Sequence, residues 1–256
     1  MALSQMQDIG GCRAVVRTVR GVNHLTEQFT KSRFNHILRR RTDYIQSPRN
    51  SGYRSIHLMY RYQGKIEAYN GLQIEVQVRS QLQHAWATAV ETVGTFLRQA
   101  LKSSQGEGAW LRFFALMGSA MAIMERTPPV PNTPTGGDLT KELRQAVTEL
   151  QVEPKLAGYG QALNMMTSGK DLKGSKYFLL ELDPGKRQLH VTGFGTGQLE
   201  LATADYLKAE QTLPDRPGAE TVLVSVGSVA ALRRAYPSYF LNTKRFLQIV
   251  EDAIKR

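Results

Sequence analysis

In LQIEVQVRS (residues 72–80), Glu75, Gln77 and Arg79 fall on every second position. A strand turns alternate side chains to opposite faces, so a carboxylate, an amide and a guanidinium share one side. Ile74, Val76 and Val78 share the other. Upstream, SPRNSGYRSIHLMYRY (47–62) opens on the turn residues Pro48, Asn50, Ser51 and Gly52 and then alternates. That puts Tyr53, Ser55 and His57 on one face and Ile56, Leu58 and Tyr60 on the other. One polar strand face is ordinary solvated surface; two neighbouring strands that both crowd functional groups onto one side are less so. Asp8 lies just ahead of the first predicted strand, in QDIGG. Two carboxylates, Asp8 and Glu75, on separate strands with arginines nearby, suit a magnesium ion that bridges phosphate oxygens.

The elements that must carry these groups read as mixed α/β. A buried strand is predicted at 11–19, a short helix at 22–32, and strands near 34–38, 54–62 and 72–80. Leu82, Trp86, Ala89, Val93, Phe96 and Leu97 have helical spacing, which predicts a long helix over 81–101. A second covers 108–125, with Met117, Met121 and Met124 read as core. TPPVPNTPTGGD (127–138) holds four prolines and two glycines and reads as a linker. Beyond it come helices at 139–151 and 155–167, a hairpin at 177–194 turning at Asp183-Pro184-Gly185, a buried strand at 221–227 and two closing helices. The expected domains are therefore 1–126 and 139–256, joined by 127–138.

Composition narrows the partners. The 256 residues carry a formal net charge of +11, which points to a polyanion such as nucleotide, RNA, DNA or a membrane face. A basic protein without such a partner would share that charge. Arg33, Arg39, Arg40, Arg41, Arg49 and Arg54 fall within 22 residues, and arginine forks suit phosphate. No apolar run reaches the ~18 residues of a membrane span. The start, MALSQMQDIGG, does not read as a signal peptide. A single cysteine, Cys12, excludes an internal disulfide and makes a cytoplasmic location the default expectation. Zinc-type Cys/His spacings are absent.

Taken together, QDIGGCRAVV, DYIQSPRNSGYRSIH, IEVQVRS and QLQHAW resemble, in order and spacing, the synthetase domain of the RelA/SpoT alarmone synthetases. The resemblance covers residues 5 to about 100 and implies a nucleotidyltransferase-type mixed sheet flanked by helices. It implies transfer of the β,γ-pyrophosphate of ATP to a 3′-hydroxyl. Asp8 and Glu75 would hold Mg2+, and Glu75 would help deprotonate the hydroxyl. Tyr53 would stack on the acceptor base, and Arg54, His57, Gln77 and Arg79 would line the acceptor pocket, with His84 in support. Ser51, Arg49 and Ser80 replace the family's usual asparagine, lysine and threonine. The family's ATP-binding basic segment lies upstream of the first motif, but only seven residues precede Asp8. The expectation is a late start, a truncated domain or a donor held differently. No His-Asp dipeptide occurs, so the family's hydrolase activity is not expected.

The second half resembles, more loosely, the fused toxin–antitoxin branch called CapRel. It shares the layout and a late Tyr-x-x-Tyr, Tyr236 and Tyr239 around Pro237. That resemblance implies a C-terminal domain that inhibits the synthetase, release by a phage protein, and the 3′ CCA end of tRNA as acceptor in place of GDP or GTP. The contrasting expectation is a catalytically inactive, truncated nucleotide- or RNA-binding regulator.

Overall fold

In a computed structural model the described residues are 10–100, 107–186, 188–213, 218–235 and 239–255. They fall into two compact units, one comprising the described residues up to His84 with Ala115–Thr135, the other Ala85–Phe114 with the described residues from Gly136 onward.

The first unit is built on four strands, β1 (Gly10–Val16), β2 (Ile37–Asp43), β3 (Ile56–Arg61) and β4 (Gln73–Ser80). They lie in the order β1-β4-β3-β2, with β1 parallel to β4 and the other pairs antiparallel. This is the mixed sheet of an α/β fold. Helix α1 (Val19–Lys31) starts where the Thr18 hydroxyl accepts from the Gly21 N–H at 3.2 Å, an N-cap. Its apolar face covers one side of the sheet, where Val22, Ile56, Leu58 and Val78 are fully buried and Val76 and Tyr60 nearly so. Each such side chain contributes about 1.5–3 kcal/mol. The polar alternates of the same strands are left on the opposite face.

Strand β2 runs from 37 to 43, later than the expected 34–38, and takes in the arginine run. It is an edge strand, so its exposed side chains need no apolar partner. A register shift between Leu38 and Arg40 also breaks the alternation that would have marked it.

Helices α2 (Gln81–Ala100) and α3 (Glu107–Glu125) follow. Within the first unit, α3 braces the turn ahead of β3. Gly52 there has φ +92°, a left-handed conformation that favours glycine. A Cβ on Gly118 of α3 would lie 2.8 Å from the Gly52 Cα and 2.9 Å from its carbonyl oxygen, both backbone atoms. Gly118→Ala is therefore expected to cost about 1–3 kcal/mol, read as a lower urea midpoint with unchanged slope.

The second unit has a three-stranded antiparallel sheet, β6-β5-β7, from β5 (Tyr177–Asp183), β6 (Gln188–Phe194) and β7 (Glu220–Ser225). Its helices are α4 (Gly136–Glu149), α5 (Val152–Ser168), α6 (Leu199–Gln211), α7 (Val226–Ala235) and α8 (Tyr239–Ile254). Helix α4 starts at Gly136, so the last three residues of the proline-rich stretch are helical. The fully buried Tyr159 stacks on Phe96 at 4.4 Å between ring centroids, and its hydroxyl donates to Glu220, which also pairs with Lys155 at 2.5 Å. Helix α6 has no counterpart in the sequence reading. Its buried residues are only Ala202 and Ala209, while Leu199, Leu201 and Leu207 are exposed, so it shows no apolar stripe. Among the described residues no helix is long and apolar enough to cross a membrane.

Candidate active site

The strand registers set out the open face of the first sheet in rows. Gly11, Glu75, Met59 and Arg40 form one, and Arg13, Gln77, His57 and Thr42 the next. On this face five side chains close a hydrogen-bonded ring. His57 Nδ1 lies 2.5 Å from Glu75 Oε1, and Gln77 Nε2 donates to Glu75 Oε2 at 2.7 Å. Arg79 Nη2 donates to Gln77 Oε1 at 2.8 Å and to the Tyr53 hydroxyl at 2.7 Å, and that hydroxyl lies 2.7 Å from His57 Nε2.

The Glu75 carboxylate only accepts, so a neutral His57 donates its Nδ1–H there, and its Nε2 is left to accept the Tyr53 hydroxyl proton. This assignment requires a neutral imidazole. Burial lowers the His57 pKa, Glu75 raises it, and Arg79 and Arg49 lower it further, with a net downward shift. Glu75 keeps lone pairs beyond the two bonds it accepts, so a substrate hydroxyl can still be received there.

Arg79 is the ring's cation. It is 3% exposed, and its Nε and Nη1 are buried without a hydrogen-bond partner among the described residues. Its guanidinium carbon lies 5.2 Å from the Tyr53 ring centroid. A buried guanidinium with spare donors and no carboxylate partner among those residues has the chemistry to receive an anion.

The structure thus brings together Tyr53, His57, Glu75, Gln77 and Arg79. It does not bring Arg54 to them. Arg54 is 3% exposed and donates to Glu125, to Thr127 Oγ1 at 2.8 Å and to the Gly118 carbonyl at 3.4 Å. Ser55 precedes the strand, is fully buried, and donates to the Val78 carbonyl at 3.2 Å, so it is not on the open face. Asp8 and Tyr236 lie outside the described residues, as does the side chain of Tyr239. Among the described residues no cluster of three His, Cys, Asp or Glu side chains could hold a metal.

His84, in the first turn of α2, has its pKa lowered to about 4, chiefly by burial and then by Arg79 and Arg13. Unfolded, it titrates near 6.5. Between those values the unfolded chain binds a proton that the folded chain does not, so stability is lost as pH falls through that window. His84→Gln is expected to flatten the decline of Tm between pH 7 and 4; an unchanged slope would remove His84 from the balance.

Two groups were not singled out as site residues in the sequence. Arg49 Nη2 donates to the Tyr44 hydroxyl at 2.5 Å, and its guanidinium carbon lies 4.4 Å from the Tyr44 ring centroid. Tyr44 in turn meets His57 edge-on at 5.2 Å between centroids. Both residues lie in the DYIQSPR stretch, whose crowding of aromatic and basic groups was the available signal. Arg39, Arg40, Arg61, Met59, Tyr60 and Gln73 line a cavity of about 270 Å3. Arg40 is two strands over from Glu75 in the same row.

Residues 1–94 match the family model for the region found in RelA / SpoT proteins. The whole ring lies inside this RelA/SpoT region, which is just over a third of the chain. Among solved structures, the chain is similar to small alarmone synthetase 1 from Bacillus subtilis bound to its product pppGpp, at 19% identity and TM-score 0.41. That match covers 49% of this chain and 64% of the other. A GTP pyrophosphokinase family protein from Streptococcus pneumoniae matches at 19% identity and TM-score 0.38, covering 59% and 71%. Small alarmone synthetase 2 from Bacillus subtilis matches at 16% identity and TM-score 0.42, covering 49% and 67%. The chain spans about two thirds of the length of these structures. A comparison with curated proteins finds no match.

Proposed function

We propose that this chain is a RelA/SpoT-type pyrophosphotransferase that moves the β,γ-pyrophosphate of ATP to a nucleotide 3′-hydroxyl. The observation that carries the reading is the closed ring around Glu75 inside the RelA/SpoT region. In the proposed step the acceptor oxygen bonds to the β-phosphorus and the bond from that phosphorus to the α,β-bridging oxygen breaks. AMP leaves with that oxygen, and the hydroxyl proton passes to Glu75. Gln77 and the neutral His57 hold the carboxylate in place, so little reorganisation is needed at the moment of transfer. Arg79 would meet phosphate charge with its spare donors, Tyr53 would offer a ring to the acceptor base, and His84 would support the site from α2.

A magnesium ion fits the donor set as one held by few carboxylates and completed by substrate phosphates. Glu75 has the lone pairs to contribute, and Asp8 would be the second ligand. When bound, the ion would neutralise charge on the transferring phosphates.

For the acceptor, the cavity lined by Arg39, Arg40 and Arg61 supports a polyphosphate or phosphodiester chain beyond the reacting hydroxyl. GDP, GTP and the tRNA 3′ CCA end all meet that description. The reading extends to control: the C-terminal domain (139–256) would hold the synthetase inactive, with Tyr236 and Tyr239 part of the regulatory surface and a phage protein as trigger. The support there is the layout of the chain.

The test is label transfer from ATP labelled at the terminal phosphate, with GDP, GTP and uncharged tRNA offered in parallel. Label on GDP or GTP makes the protein an alarmone synthetase; label on tRNA makes it a block on translation. If none is labelled, Tyr236→Ala with Tyr239→Ala should release activity if the C-terminal domain inhibits. Continued silence would favour a binding regulator.

A further inference from the structure

Two residues of the ring, Tyr53 and Arg79, are each followed in the chain by a buried polar residue, Arg54 and Ser80. Both of those are held by one carboxylate, Glu125, at the end of α3. Arg54 Nη2 donates to Glu125 Oε2, and the Ser80 hydroxyl donates to Glu125 Oε1. Gln83 Nε2 adds a third bond, to Oε2 at 3.1 Å. The Glu125 side chain is 6% exposed and the Arg54 side chain 2%.

Ser80 and Gln83 also close on each other. Gln83 N–H donates to the Ser80 hydroxyl oxygen and Ser80 N–H to Gln83 Oε1, both at 3.1 Å. This is a capping box at the start of α2. It leaves one hydroxyl proton on Ser80 and amide protons on Gln83, and Glu125 receives a proton from each. One carboxylate therefore ties the end of β4, the start of α2 and the turn ahead of β3 to α3. None of these atoms lies on the open face.

We propose that Glu125 is a positioning residue for the Glu75 ring. It holds Arg54 and Ser80, and through the backbone it sets where Tyr53 and Arg79 meet. Glu125 lies beyond the matched region, so the synthetase unit needs residues the RelA/SpoT match does not include. The activity readout rests on the proposed function; the spectroscopic one does not.

The experiment uses the full chain, wild type and Glu125→Gln, with Glu125→Ala as a harsher variant. Gln keeps the size and one acceptor but lacks the charge that matches Arg54 and turns an NH2 toward one of the donors. Imidazole 15N spectra of His57 report the ring directly. The wild type is expected to show the Nδ1–H tautomer. A displaced Tyr53 or Arg79 takes the Tyr53 hydroxyl proton away from Nε2 while Glu75 still holds Nδ1–H, so folded Glu125→Gln is expected to shift the His57 Nε2 resonance. Where transfer is measurable, its kcat is expected to drop by about 10- to 100-fold, the scale of a misplacement of order 1 Å. A folded Glu125→Gln with the wild-type His57 spectrum overturns the proposal, even if its Tm has fallen.

Discussion

Glu75→Gln is expected to reduce pyrophosphate transfer by about 10²–10⁴-fold, the range for losing a general base. The amide cannot take the acceptor proton, and it also breaks the donor order of the ring. Glu75 accepts from both His57 Nδ1–H and Gln77 Nε2. A glutamine can accept from one of them, while its NH2 faces the other donor. If Gln77 flips to relieve this, its own NH2 meets Arg79 Nη2. The variant should therefore combine a large loss in kcat with a modest fall in Tm. Full activity in a folded Glu75→Gln would take the carboxylate out of the chemistry.

Arg79→Met is expected to separate activity from stability. Arg79 is buried, has two nitrogen atoms without partners and pairs with no carboxylate among the described residues. Such a charge is costly in the free protein, and replacing it with an apolar chain of similar length is expected to be neutral or stabilising by about 1–2 kcal/mol. Losing the bonds to Tyr53 and Gln77 offsets part of that gain. A bound phosphate would lose charge-assisted bonds, so the KM for the acceptor is expected to rise about 10- to 100-fold. A stable, weakly binding enzyme is the signature of a functional charge held at a cost to the fold. Marked destabilisation would instead make Arg79 a structural residue.

Much of the site was legible because strands write their faces with period two. Glu75, Gln77, Arg79 and His57 sit where alternation puts them, and Ile74, Val76, Ile56 and Leu58 pack on the other side as expected. The family motif had grouped Arg54 with His57, yet Arg54 lies ahead of β3, where no strand alternation applies, and Glu125 receives it away from the ring. Ser55 shows the limit of the pattern, because β3 begins only at Ile56 and the residue before it follows the turn. Glu125 was illegible because its partner Arg54 is 71 positions away, and no local period reports such a contact. Its one signal was a lone carboxylate closing a Met-rich apolar helix. The β2 arginines and the alanine-backed α6 were missed or displaced for one reason: neither element buries a stripe of large apolar side chains.

The most direct measurement is the nucleotide product of ATP turnover in the presence of acceptor, for wild type and Glu75→Gln. Pyrophosphate transfer is expected to give AMP in one-to-one ratio with modified acceptor in the wild type, and neither product above background in the variant. Formation of ADP, or AMP that continues undiminished without the Glu75 carboxylate, would contradict a pyrophosphotransfer centred on this ring.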